Sequence, residues 1–408
     1  MRNSRCVALA VFSVIAVTVV PLTTTGISAG AVRSSTTPPI GRQLAKLKGS
    51  DTTAYDGFGL SVAISGTTAV VGAPGHANFG GDAYVFTKTA AGWEQVTELK
   101  ASDTEGSSSA NIAGDGFGLS VAISGRIAVV GAYGHANGAG RVYVFTKTAG
   151  GWKQTAELKG TDTVAGNNFG HLGCRVGHDC DRGCAQRCQN GAGRAYVFTE
   201  TSAGWTQVAE LKGSDTIHND DFGISVAISG TTAIVGANDR ANHAGAAYVF
   251  TKTAAGWKQV AELKGSDTTA GDFFGTSVAI SGTTAFIGSS GNAKKLGRAY
   301  VFTKTAADWE QVAELKGSDT TAHDDFGISV AGLGTTAIVG APYIANKAGA
   351  AYLFTKTAGS WKQAAELEGS DTVDGDDFGL SVAMSGTTAV VGAQGHAKDA
   401  GEVYVFEV

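Results

Sequence analysis

A chain of 408 residues with 59 glycines, 5 prolines, 2 methionines and 8% aromatics is poorly suited to a helical protein. Glycine near one residue in seven, with Thr, Val, Ala and Ser filling most of the rest, suits many short strands joined by tight turns. A net charge of −5 with 43% hydrophobic residues places it among soluble globular chains and argues against a polyanion binder, so nucleic acid is not expected as a partner.

Residues 1–31 read as an export signal. Arg2 and Arg5 form a basic start, Cys6 to Val20 is an apolar run too short to span a bilayer comfortably, and Ala29-Gly30-Ala31 offers a cleavage site. The mature chain would begin near Val32, be secreted, and retain no membrane span. An uncleaved anchor is the alternative. Cys6 precedes the apolar run rather than following it, which does not suit lipidation. Without Arg2 and Arg5 the chain keeps 29 basic against 36 acidic residues.

After a linker over 32–42, the dipeptide Phe-Gly recurs at Phe58, Phe117, Phe169, Phe222, Phe274, Phe326 and Phe378, with spacings of 59, 52, 53, 52, 52 and 52. The repeat opening at Phe222 contains four strand-like runs: A, Ile224 to Ile228; B, Thr232 to Gly236; C, Ala246 to Lys252; and D, Trp257 to Lys264. The runs are nearly continuous in Val, Ile, Ala, Tyr and Phe, as sheets covered on both faces require. Seven such units predict an all-β fold, a seven-bladed β-propeller of four-stranded antiparallel blades over 43–408.

The chain ends at Tyr404 to Val408 without a D strand, whereas Gln43 to Thr52 matches the end of a D strand with no repeat before it. An N-terminal strand therefore completes the last blade and removes the sheet edges of an open array.

These residues resemble the FG-GAP repeats of extracellular β-propellers, best known from the head of integrin α chains. Phe58-Gly59, Ser61-Val62-Ala63 and Val71-Gly72-Ala73-Pro74 carry the likeness, as does Gly340-Ala341-Pro342. The bacterial variant, with Gly-x-Ala-Tyr-Val-Phe and a Trp-led fourth strand, is the most similar. In the integrin type the A–B turn often holds a calcium loop, but here that turn is Ser65-Gly66-Thr67-Thr68 or a near copy without a carboxylate. The family's calcium sites do not carry over to it, and no cofactor is expected.

In an up-and-down blade the A–B and C–D turns share one face, and the B–C loops and D-to-A crossovers share the other. The second set is longer and more varied, so binding is placed there. The candidate contacts are His76, Asn78, His135, Asn137, Asn238, Asp239, Asn242, His243, Tyr343 and His396. The histidines are read as exposed, with none recurring beside a partner at fixed metal-ligand spacing. Crossovers hold 18 of the 36 acids. Turn hydrogen bonding accounts for them residue by residue, with cation binding at Asp220/Asp221, Asp324/Asp325 and Asp376/Asp377 as the sharper alternative. The Trp at 93, 152, 205, 257, 309 and 361 read as packing residues, and repeated serines such as Ser61 and Ser225 as structural.

The third repeat breaks the pattern and holds Cys174, Cys180, Cys184 and Cys188. Codons chosen for His171 to Gln186, read one base later, give Ile-Ser-Val-Ala-Val-Ser-Gly-Thr-Thr-Ala-Ile-Val-Gly-Ala-Pro, an ordinary A–B hairpin. Phe169 to Tyr196 also spans 27 positions against 26 elsewhere. A shifted reading frame over 171–190 explains both, and a poorly packed inner half of that blade is expected. The function expected overall is non-enzymatic, adhesion-like binding of an extracellular protein or glycan. An enzyme at the channel mouth and a multivalent wall or matrix protein are the alternatives.

Overall fold

The computed structural model describes residues 40–106, 114–171, 192–291 and 296–408, together with the backbone of Val7–Val11. It contains six four-stranded antiparallel sheets, so six complete blades rather than the seven expected. The repeat opening at Phe222 is typical, with strands Val226–Ser229, Thr232–Ala237, Ala246–Thr253 and Gly256–Leu263 hydrogen-bonded in that order. Strand B is buried throughout, whereas the outer strand alternates exposed and half-buried residues. That is the pattern of inner strands packed on both faces and an outer strand half in water.

The third repeat departs from this plan. Its strands Arg194–Thr201 and Gly204–Leu211 pair normally, but the neighbour on the other side is Val7–Val11, which runs parallel to Arg194–Thr201 and gives a three-stranded sheet. A strand from the expected export signal thus takes the place that strand B holds elsewhere. The four cysteines and residues 172–190 of the proposed frame shift over 171–190 lie outside the described residues.

The ring closes as the sequence implies. Gln43–Leu47 pairs antiparallel with Glu402–Glu407, Leu47 facing Val403, and completes the blade of the seventh repeat. Each Phe-Gly phenylalanine is buried against the C-strand Tyr and Phe of its own repeat. Phe58, for example, meets Tyr84 and Phe86 edge-on at 5.5 and 6.0 Å, a favourable aromatic arrangement. The cores lie between sheets: Val390, Val403 and Val405 of the seventh repeat pack with Phe58, Val71 and Tyr84 of the first.

Neighbouring repeats are latched by their serines. Ser61 Oγ donates to the Gly118 carbonyl at 2.8 Å, Ser225 to Gly275 at 2.7 Å, and Ser381 to Gly59 at 2.7 Å, the last across the closure. The backbone approach nearby is close enough to demand glycine. At Gly81, with φ of 81°, a Cβ would stand 2.0 Å from the Phe117 carbonyl oxygen. The tryptophans pack on the cores as expected, Trp309 buried and Trp361 edge-on to Phe286 at 5.6 Å.

Candidate functional site

Among the described residues, the D-to-A crossover and the B–C loop meet side by side in the first, second, fourth and seventh repeats. The Asp of each Ser-Asp-Thr or Thr-Asp-Thr crossover uses Oδ1 to accept from the C-strand tyrosine hydroxyl, as in Tyr84 to Asp51 at 2.8 Å and Tyr404 to Asp371 at 2.9 Å. Its Oδ2 then faces a residue that differs between repeats. That residue is His76 at 3.8 Å from Asp51, His135 at 3.7 Å from Asp103, Arg194 at 3.6 Å from Asp162, Arg240 on Asp215, Arg298 at 3.7 Å from Asp267, and Lys46 at 2.6 Å from Asp371. In the sixth repeat Ile344 holds the position of His76 and Arg240. There burial, the charge of Asp319 and that of Glu368 raise the Glu366 carboxyl above its ordinary value.

Three of the expected site residues, His76, His135 and His396, are therefore the same element in three repeats. Each places Nδ1 2.8 Å from Oδ2 of Asp56, Asp115 or Asp376, and the residue separation is 20 in every case. This corrects the expectation that these histidines are exposed: they are largely enclosed, and each pairs with a carboxylate 20 residues before it. A carboxylate can only accept, so Nδ1 carries the hydrogen and Nε2 points into the pocket. Burial opposes the charge on His76, but the hydrogen bond to Asp56 and the charges of Asp56, Asp82 and Asp51 prevail and raise its pKa. Beside it, burial, then the hydrogen bond and charge of Glu98, push the Asp82 carboxyl up to about 7.

Other expected contacts serve the loops themselves. Asn78, Asn137 and Asn242 each sit at φ of 58° in left-handed turns, a conformation asparagine tolerates. Asn238 is buried and its amide lies 3.4 Å from the Thr276 hydroxyl. Asp239 meets His243 at 3.0 Å, and Lys347 Nζ lies 5.2 Å from the Tyr343 ring centre. In the acidic pairs the first member caps its crossover. Asp220 Oδ2 accepts from the Ile217 N–H at 2.7 Å, Asp376 from Val373 at 2.9 Å, and Asp324 from Thr321. The second members, Asp221, Asp325 and Asp377, take φ of 51°, 52° and 55°.

Strands A line a central cavity of about 530 Å³ whose wall includes Leu60, Leu119, Ile224, Ile328 and Leu380, with Tyr133 and His171 at one side. No carboxylate is among the described lining residues. His171 meets Tyr133 edge-on at 5.3 Å, and loss of water around the ring pushes it down to about 4. Ser61, Ser120 and Ser225, which line the cavity, donate to the carbonyls of Gly118, Gly170 and Gly275 and serve as latches between repeats.

The FG-GAP repeat matches at residues 42–86, 93–145, 205–250, 257–302, 309–354 and 361–406. The chain belongs to the FG-GAP repeat family. The six matches run from the outer strand of one blade through the first three strands of the next, as the FG-GAP ring is built here, and they skip 146–204, where the third repeat is irregular. No curated protein is similar to the whole chain at a significant level. No described helix is long and apolar enough to cross a membrane.

Sequence reasoning missed Asp82, Glu98, Glu157 and Glu402, which complete these pockets. Superposing the repeats offers the signal: the residue opening strand C is Asp82, Arg141, Arg194, Ala246, Arg298, Ala350 or Glu402, a charge that changes inside an otherwise constant frame.

Proposed function

We propose that this FG-GAP protein is secreted and binds an extracellular protein or glycan, without catalysis, through the face formed by its B–C loops and crossovers. The observation that carries the reading is the distribution of exposed apolar side chains. Of the exposed large apolar side chains among the described residues, Ile40 lies near the start, Val96, Val208, Val260 and Val312 are scattered singly on outer strands, and Leu333 stands beside one opposite turn. The others, Tyr55, Phe79, Val164, Ile217, Leu296 and Val373, are exposed in crossovers or B–C loops. On a folded chain such residues mark contact surfaces when they share a face, and here they alternate with the varied charges of the pockets. The opposite turns repeat Ser-Gly-Thr-Thr at 65–68, 229–232, 281–284 and 385–388 and offer no comparable variety.

The test is a screen of the purified chain against a glycan array and a panel of extracellular protein domains. Any partner found is then measured against Tyr55→Ser, Phe79→Ser and Ile217→Ser. Aromatic anchors of an interface cost about 2 kcal/mol or more when truncated, so at least one substitution should weaken binding more than tenfold. Thr67→Ser and Thr231→Ser, on the opposite turns, should leave it unchanged. A partner indifferent to all three loop substitutions, or no partner in either library, contradicts the reading.

A further inference from the structure

The pockets of the first and seventh repeats are the ones with an acid at the start of strand C. The second, third and fifth repeats open that strand with Arg141, Arg194 and Arg298, and the fourth and sixth with Ala246 and Ala350, but the first opens it with Asp82 and the seventh with Glu402. The first adds a second acid, Glu98, on the outer strand where the seventh has Lys46. Asp82 is only 3% exposed, and its Oδ2 accepts no hydrogen bond. Glu98 Oε1, in the same pocket, is buried and faces the Lys100 ammonium. The cations beside them are Lys100 Nζ, 3.4 Å from Asp82 and 2.9 Å from Glu98 on a side chain 55% exposed, and the His76 imidazole when protonated, 3.3 Å from Asp82. Buried carboxylates so placed repel one another unless a cation or proton lies among them.

His76 completes the set. Its Nε2 lies 3.3 Å from Asp82 Oδ2 and 3.8 Å from Asp51 Oδ2, and the ligand atoms of Asp51, His76 and Glu98 all fall within 4.8 Å of one another. Zinc bound tetrahedrally to nitrogen and oxygen at its usual bond lengths separates neighbouring donor atoms by about 3.4 Å, so small side-chain shifts suffice. Asp56 holds the Nδ1 hydrogen, which orients the ring and leaves Nε2 as the donor, the arrangement carboxylate-backed imidazoles adopt at metal centres.

We propose that the first repeat binds one Zn²⁺ ion through His76 Nε2, Asp51 Oδ2, Asp82 Oδ2 and Glu98 Oε1, oriented by Asp56. The same histidine recurs in the second and seventh repeats, but there a less exposed cation of the chain lies on the carboxylates, Arg141 on Glu157 and Lys46 on Asp371 and Glu402, where the first repeat has the more exposed Lys100. One imidazole among carboxylates suits zinc better than calcium or magnesium, which favour all-oxygen shells.

The experiment titrates Zn²⁺ into untagged full-length protein, stripped with chelator and alkylated so that Cys6, Cys174, Cys180, Cys184 and Cys188 cannot compete. Heat of binding and melting temperature are read together. One equivalent should bind and raise the melting temperature. His76→Gln and Asp82→Asn should each abolish the equivalent and the rise, while His396→Gln keeps both. Asp82→Asn removes an unsatisfied buried charge, so its zinc-free form should melt no lower than the parent, which separates loss of the site from misfolding. No bound equivalent in the parent, or one undiminished in both His76→Gln and Asp82→Asn, overturns the proposal. A failed ligand screen leaves it untouched, because nothing in it depends on the partner.

Discussion

Asp325 shows how one residue can serve the fold and burden it. It precedes Phe326 in a left-handed conformation that aspartate tolerates, and burial followed by the charge of Asp324 pushes its carboxyl up to about 7. Burial, with Asp239 and Asp220, does the same for Asp221, also to about 7. A carboxyl raised above its unfolded value contributes stability that is complete below about pH 4 and is lost as pH rises through the folded value. The melting temperature should therefore fall between about pH 4 and pH 7.5 from these groups. Asn suits the same turn without the charge, so Asp325→Asn should melt with the parent at pH 4 and several degrees above it at pH 7.5. Equal melting at both values would contradict the assignment. The sixth repeat offers a second test. Ile344→Arg would place a guanidinium where Arg240 meets Asp215 and Glu262, and thermal or urea unfolding should show a gain of about 0.5–1 kcal/mol, the scale of a partly exposed ion pair.

At the scale of elements, the Phe-Gly phenylalanines, the four runs per repeat and the strand Gln43–Leu47 were legible because each answers to a local rule: burial of an aromatic, continuous apolar strands, and a D strand lacking its own repeat. The histidine pockets were not. Asp56 and His76 are 20 residues apart and meet only when the first hairpin folds back on its crossover, while Asp56 also caps the Thr53 N–H at 2.7 Å, a local role that hid the second. The parallel pairing of Val7–Val11 with Arg194–Thr201 was equally beyond reach, because it joins segments far apart in sequence without a repeat to announce it. It still bears on the third repeat. A chain carrying the hairpin sequence of the shifted frame in place of 171–186 should gain several degrees in melting temperature, since each buried Val or Ile contributes about 1.5–3 kcal/mol and a latching serine is restored to face Gly223. No gain in melting temperature would argue that the reading as written is the native one.

For the whole molecule, everything said about faces follows from closure. With the first described propeller strand seated on the last, the described crossovers and B–C loops fall on one side, and the Ser-Gly-Thr-Thr turns fall on the other. Cleavage near Val32 would preserve that closure, because Gln43–Leu47 remains, but it would remove Val7–Val11 and leave Arg194–Thr201 with Gly204–Leu211 as its described partner. The most direct test of closure is amide hydrogen exchange of the native full-length chain, read by mass spectrometry over 43–47 and 402–407. Closure predicts slow exchange in both segments, comparable with the paired strands Ala246–Thr253 and Gly256–Leu263. Rapid exchange over 43–47, at the rate of an unpaired terminus, would mean an open array, and the assignment of the two faces would fall with it.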